Sequence, residues 1–353
     1  LLKITNKLTP ALQKEIEQFQ KANDPSKTID YPIVYKFKAE MLRKIFKLVE
    51  ADILTDPKYL QFYEDNKAWL QPYSLYCYFR DLYGTTDFHT WEEHSTISPE
   101  EFEPLTQELG DKHLFTNWVQ FVCDQQFRLA SEYAAQHHVA LKGDLPIGVF
   151  INSAECWAWP QNFRLDMCAG APPDAFSDAG QNWGLPTYNW DYMESDDFRW
   201  WRQRLQRMAT LFHALRVDHI LGFFRIWEIP RSTCVRGMLG HFCPCNPAHR
   251  DELSAKGLWD IDRYIRPYIR WHILAQKFGG EAEYVSKTFF NSRNVDAGDD
   301  WYDFKPEYDT EKKIDVAIDE MFKDDPGKAK HYKTCLFQLM DDVLLVPDPY
   351  LWD

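Results

Sequence analysis

Helix and strand signals alternate through the middle of this chain, and that alternation restricts its fold more than any other feature. "TNWVQFVCDQQFRLASEYAAQHH" (116–138) carries Trp118, Val122, Phe127 and Leu129 on or near one helical face. It runs into "VALKGDLPIGVFIN" (139–152), where Val139, Leu141, Leu145, Ile147 and Val149 alternate around Gly143 in the manner of a strand. A long loop follows, then a helix in "SDDFRWWRQRLQRMATLFHAL" (195–215), for which Ser195 is a natural N-cap and Asp196 and Asp197 a favourable first turn. The next apolar run is "LRVDHILGF" (215–223). Helix, strand, loop, helix, strand is the order of an α/β chain with a parallel sheet or barrel, where chemistry sits at strand ends.

The flanks read differently. Residues 1–138 are mostly helical: "PALQKEIEQFQKAN" and "YPIVYKFKAEMLRKIFKLVEADI" keep helical spacing, and Gly84 is placed to stop a helix over "NKAWLQPYSLYCYFRDLYG". After Pro230 helices return, in "NPAHRDELSAKGLWDIDRYIRPYIRWHILAQKFG" and "HYKTCLFQLMDDVLLV", around an acidic aromatic stretch, "DAGDDWYDFKPEYD". The pattern predicts three sections: a helical one (1–138), a strand-bearing one with a long loop (139–230) and a helical insertion (231–353). Both ends of the chain read as cut.

Charge narrows the function. With 40 Lys and Arg against 54 Asp and Glu, the net charge of -14 disfavours a polyanionic partner such as nucleic acid. No stretch approaches the roughly 20 apolar residues of a membrane span. The eight cysteines are scattered along a long chain, the usage of reduced cytoplasmic thiols. Neither a phosphate-binding glycine loop nor a G-x-S-x-G elbow is present. "HFCPCNPAH" offers His241, Cys243, Cys245 and His249, but zinc sites space their cysteines more widely, and a thiol-bearing surface loop is the favoured reading.

Two stretches invite chemistry. Within "LRVDHILGF", strand geometry puts Arg216 and Asp218 on one face, where they can pair. Taken alone, these residues fit a satisfied buried ion pair as well as an oriented carboxylate nucleophile of the glycosidase kind, which works with a second, protonated carboxyl roughly 5 Å away. The loop over 154–193 is dense in Gly, Pro, Asn and Asp, so regular structure is not expected in it. It gathers Asp174, Asp178, Gln181, Asn182, Trp183, Tyr188 and Trp190, planar hydrogen-bonding groups beside aromatic faces, which suit a pyranose or a purely structural loop.

"GDLPIGVFINSAECWAWPQNFRLDMCAGAPPDAFSDAGQNWGLPTYNW", followed by "WWRQRLQRMATLFHALRVDHILGFFRIWEIP", closely resembles the 4-alpha-glucanotransferases, the amylomaltases or disproportionating enzymes. Gly148 with Asn152, "HILGFFRIWEIP" and the long section after Pro230 make the cytosolic plant-type branch the nearer one. The resemblance implies a partial (β/α)8 TIM-type barrel of the α-amylase superfamily kind with helical insertions, and retaining transfer from maltose or maltodextrin to a glucan such as glycogen. It implies Asp218 as nucleophile and Arg216 as the residue that orients it. His219, Asp174, Gln181, Trp183 and Asn152 become substrate contacts, and no metal or organic cofactor is called for.

Two departures stand out. Ala175 occupies the Tyr position of the family's "PPDYF" loop, and neither the "G-E-D-L-G" motif of the acid/base Glu nor the family's "H-D" motif occurs. The resemblance therefore implies an internal section of the catalytic region, inactive alone and completed by the rest of the same enzyme. Asp144, Glu155, Asp174 and Glu228 are carboxylates that nothing in the sequence selects as a substitute acid. The rival reading is a non-catalytic glucan-binding or assembly protein.

Overall fold

The computed structural model of the protein describes residues 9–23, 26, 28–294 and 300–348; "DAGD" at 296–299 and residues 349–353 lie outside them. The chain divides into two compact units. One takes the chain as far as Leu145, with Asn152–Pro160 and Met193–Arg216; the other takes Pro146–Ile151, Gln161–Tyr192 and the chain from Val217 on.

The first unit is helical. Helices α1 (Pro10–Ala22), α2 (Tyr31–Ile53) and α3 (Pro57–Tyr83) each begin with proline in the first turn, behind a side-chain cap from Thr9, Asp30 and Asp56. Such caps satisfy N–H groups that have no partner inside the helix. Gly84 ends α3 with a φ of 69°, the left-handed stop expected of it. Met41, Ile45, Val49 and Ile53 form one stripe along α2. With Leu70, Trp118 and Phe121 they build a core shared with α5 (Leu114–Gln136), which follows the short α4 (Phe102–Leu109).

Strand β1 (Lys142–Leu145) follows α5, and the short α6 (Ala154–Ala158) carries Trp157, which is fully buried. Its ring lies 5.9 Å from Trp91 and 5.9 Å from Tyr76, and its Nε1 donates to the His94 carbonyl at 2.8 Å. This tryptophan is core rather than sugar platform.

The stretch read as irregular contains more structure than its composition suggests. It holds β2 (Phe163–Arg164), β3 (Met167–Ala171), β4 (Gln181–Asn182), β5 (Thr187–Tyr188) and α7 (Trp190–Ser195). "MCAGA" is a poor strand by propensity, yet β3 is buried along most of its length and paired on both sides. The expected N-cap at Ser195 is also displaced. Asp197 and Phe198 adopt φ values of 58° and 51°, and α8 (Arg199–Ala209) starts only after them.

Strand β6 (Ala214–Val217) follows α8 as β1 follows α5, and β1 and β6 pair in a two-stranded sheet. Asp124 of α5 fixes the helical layer, with Arg128 Nε at 2.8 Å and Arg207 Nη2 of α8 at 2.6 Å. A buried carboxylate needs both of its oxygens occupied in this way.

In the second unit β7 (Ile226–Pro230) and β8 (His241–Cys243) complete a four-stranded antiparallel sheet in the order β4-β3-β7-β8. Ala169 of β3 faces Glu228 of β7, and Gly170 faces Asn182 of β4. Beyond β8 come α9 (Arg250–Ala255), α10 (Ile261–Tyr264), α11 (Trp271–Phe278) and α12 (Ala282–Phe289), then a hairpin of β9 (Phe290–Asn294) and β10 (Asp300–Phe304). Helices α13 (Glu311–Met321) and α14 (Pro326–Met340) close the chain. Leu274, Val285, Phe289, Ile314, Ile318 and Leu336 are fully buried in one cluster, each contributing about 1.5–3 kcal/mol of apolar burial. The mixed α/β class is the one expected. Among the described residues the strands form no closed barrel.

Candidate active site

Strand β6 stops at Val217, short of the run expected through Phe223, because His219 turns into left-handed space with a φ of 50°. A 3-10 turn over Ile220–Phe223 follows, and Gly222 N–H donates to the His219 carbonyl at 2.9 Å. The alternation that placed Arg216 and Asp218 on one strand face thus ends before Asp218. Asp218 stands at the strand end, half-buried.

Two of the predicted residues, Trp183 and Gln181, join His219 in one run of contacts. The His219 ring meets Trp183 edge-on, with centroids 5.1 Å apart and planes at 87°. Trp183 Nε1 donates to Gln181 Oε1 at 3.1 Å, while its backbone N–H donates to the Ala169 carbonyl at 3.0 Å. Beneath the indole lie Ile147, Ala169 and Ile226. Trp183 is therefore anchored to β3 by its backbone and its indole packs on an apolar floor, with the Gln181 amide on its Nε1 and the His219 imidazole edge-on to it. Such a wall offers stacking area and directed hydrogen bonds, the two needs of a sugar ring.

Asp174 is placed otherwise. Its Oδ1 accepts from the N–H groups of Phe176 at 2.8 Å and Ser177 at 2.9 Å, so the carboxylate shapes its own turn. At the tip of that turn Phe176 is 93% exposed, a large aromatic surface beside Ala175 that the sequence reading passed over.

The last two predicted residues belong to the helical unit. Arg216 Nη1 donates to Asp144 Oδ2 at 2.7 Å, with both side chains more than half exposed. The carbonyl of Asn152 accepts from Tyr76 Oη at 2.6 Å, and Asn152 Oδ1 is buried without a hydrogen-bond partner among the described residues.

Three of the alternative carboxylates are already employed. Asp144 pairs with Arg216 and Asp174 holds its turn. Glu228 is 1% exposed, with Thr187 Oγ1 donating to its Oε1 at 2.6 Å and Arg164 Nη1 lying 2.7 Å from its Oε2. Glu155 sits in the first turn of α6. The His and Cys side chains of "HFCPCNPAH" also have local roles: His241 Nε2 is 3.9 Å from Glu228, Cys243 Sγ accepts from Arg164 at 3.2 Å, and Cys245 Sγ donates to Asp348 at 3.3 Å. Burial pushes the His241 imidazole down and the Cys243 thiol up. No group of three or more His, Cys, Asp or Glu among the described residues is arranged to hold a metal.

The chain belongs to the 4-alpha-glucanotransferase family, whose model matches residues 1–331. It is 39% identical over 344 residues to the 4-alpha-glucanotransferase DPE2 of Oryza sativa subsp. japonica, a match covering 96% of this chain and 36% of the rice protein. It is 33% identical over 240 residues to the 4-alpha-glucanotransferase of Chlamydia pneumoniae, covering 67% of this chain and 44% of that one.

Among solved structures, amylomaltase from Streptococcus agalactiae in complex with acarbose superposes with a TM-score of 0.55 at 25% identity, covering 71% of this chain and 56% of that one. Amylomaltase from Corynebacterium glutamicum gives a TM-score of 0.53 at 24% identity, covering 72% and 34%. The chain spans well under two thirds of each of these relatives.

Proposed function

We propose that this chain forms the nucleophile and glucan-binding part of a 4-alpha-glucanotransferase, with maltose or maltodextrin as donor and a branched glucan as acceptor. The observation that carries the reading is the run Gln181, Trp183, His219, which ends one residue from Asp218 in a chain of this family.

In the proposed reaction the Asp218 carboxylate attacks the anomeric carbon of the donor sugar, and the bond from that carbon to the leaving-group oxygen breaks. The leaving oxygen takes a proton from a carboxylic acid. The acceptor hydroxyl then returns a proton to the same carboxylate, attacks the anomeric carbon and releases Asp218, so that one α-glucosidic bond is broken and one made. Arg216 orients Asp218, His219 and Asn152 bind sugar hydroxyls, and the Asp174 turn lays its loop, with Gln181 and Trp183, over the glucan and favours a sugar acceptor over water. Because the family's "G-E-D-L-G" motif does not occur in this chain and nothing selects Asp144, Glu155, Asp174 or Glu228 in its place, the acid is assigned to another part of the polypeptide or to a second chain.

Eight free cysteines and the lack, among the described residues, of any helix long and apolar enough to cross a membrane support a cytoplasmic site of action. No nucleic-acid or membrane partner and no metal or organic cofactor is invoked. The test is glucose transfer from maltose to glycogen by the full-length polypeptide, with trapping by a slow-turnover 5-fluoro-α-glucosyl fluoride. The expected result is a label on Asp218 and loss of transfer in Asp218→Asn. A label on another residue, or full transfer by Asp218→Asn, would overturn the assignment.

A further inference from the structure

We infer that Glu311, in the helical section after β8, is a positioning residue for the glucan-binding loop, an inference that rests on the transferase reading above. Glu311 is fully buried at the start of α13 and spends both carboxylate oxygens on one short segment of chain. Its Oε2 accepts from the backbone N–H groups of Val235 at 2.7 Å and Arg236 at 2.9 Å, and its Oε1 accepts from Arg236 Nε at 2.8 Å. Next to it, Lys312 N–H donates to the Thr233 carbonyl at 3.0 Å. The Arg236 guanidinium continues to Asp341 at the end of α14 and lies over the Phe337 ring, 4.8 Å from its centroid. Segment 233–236 is thereby fixed to α13 and α14 by charge-assisted bonds, the strong kind.

The opposite side of that segment meets the proposed site. The Val235 carbonyl, one peptide from the N–H that Glu311 holds, accepts from Asn182 Nδ2 at 3.2 Å. Asn182 Oδ1 accepts from Gly184 N–H at 3.0 Å, so this one amide sets the chain on both sides of Trp183. Gly237 packs so closely on the loop that a Cβ there would lie 2.4 Å from the Gln181 nitrogen. Trp227 Nε1 donates to the Gly237 carbonyl at 2.8 Å and holds it in place. A path of hydrogen bonds runs from Glu311 through Val235 and Asn182 to the turn around Trp183, whose ring meets His219. Simple stapling of α13 to the sheet would not need the path to end on the Trp183 turn.

The consequence is specific to the second half-reaction. If Glu311 aims the Trp183 turn, its loss moves the wall that receives the acceptor and leaves nucleophilic attack by Asp218 largely intact. The experiment compares Glu311→Ala, Glu311→Gln, Asn182→Ala and Ile318→Ala in the full-length polypeptide. Ile318→Ala is the control, a core truncation in the same helix that touches none of these bonds. Three quantities are read: the rate of Asp218 labelling, KM for glycogen as acceptor, and the fraction of released glycosyl lost to water.

Glu311→Ala is expected to raise the acceptor KM about tenfold and to increase the hydrolysed fraction, with labelling within about twofold of wild type. Glu311→Gln, which keeps an acceptor for the two N–H groups, should recover most of the loss, and Asn182→Ala should reproduce the defect even if Glu311→Ala does not fold. Ile318→Ala should lower the melting temperature alone. If Glu311 and Asn182 variants match wild type, or shift the acceptor KM no more than Ile318→Ala does, the inference is overturned. If wild type neither labels Asp218 nor transfers, it is the transferase reading that has failed.

Discussion

Trp183 stands edge-on to His219 at a centroid distance of 5.1 Å, and its indole N–H is committed to Gln181. Each ring limits the other's rotation, so the imidazole beside Asp218 is held by packing. Trp183→Ala is expected to lower kcat/KM for transfer about fivefold, since an aromatic pair contributes ~1 kcal/mol beyond the area it buries. Steady-state kinetics on maltose and glycogen check this, and an unchanged value would remove Trp183 from the substrate wall.

Phe176 presents nearly its whole ring to solvent on a turn that Asp174 stabilises. Its truncation should change stability by no more than about 0.5 kcal/mol, as for other exposed positions. Transfer should fall relative to hydrolysis, because the loop tip loses its aromatic face and Ala175 cannot replace it. The readout is the ratio of glucosylated glycogen to free glucose in Phe176→Ala, set beside its melting curve.

Glu228 is an acidic residue with a structural task. It links β7 to Thr187 of β5 and Arg164 of β2 from a fully buried position. Glu228→Ala leaves Arg164 without this partner and should destabilise the protein by about 3–5 kcal/mol, the usual cost of breaking a buried pair. Urea unfolding measures this. A loss of activity with full stability would point instead to a catalytic carboxyl.

Asp341 gives a signature in pH. Burial, assisted by the nearby Glu311 charge, pushes its carboxyl up to about 6 against the pull of Arg236. An acid whose folded value is raised contributes stability that is complete below its unfolded value near 3.9 and is lost as pH rises through about 6. The loss is on the order of 3 kcal/mol. Melting curves between pH 4 and 8 should therefore show a decline for wild type over that window that is shallower in Asp341→Asn.

The legible parts of the sequence were those with a local signal. Thr9, Asp30, Asp56 and Gly84 bracket helices by their own chemistry, and the run "LRV" carries the alternation of a strand. Strand β3 was hidden because Cys168, Ala169 and Gly170 carry no strand preference and are ordered by partners on both sides. The end of β6 was hidden for another reason: it is set by a left-handed turn at a histidine, and apolar alternation continues past it. Trp183, Gln181 and His219 were found singly, but their mutual contacts are a property of the fold. Glu311 could not be found at all, since its acceptors' partners lie 75 and 76 positions earlier in the chain.

The peptide of Gln181 lies between two glycines. A methyl group on Gly170 would come within 2.0 Å of its carbonyl oxygen, and one on Gly237 within 2.4 Å of its nitrogen. Main chain touches main chain on both sides at this point, so alignment is enforced by a deficit of atoms. No side chain chosen for its chemistry could supply the same fit. A survey of tolerated substitutions would accordingly find two rigidly restricted columns carrying no reactive group, and the sugar specificity of a site rich in polar residues would depend on the two residues with nothing to offer a ligand.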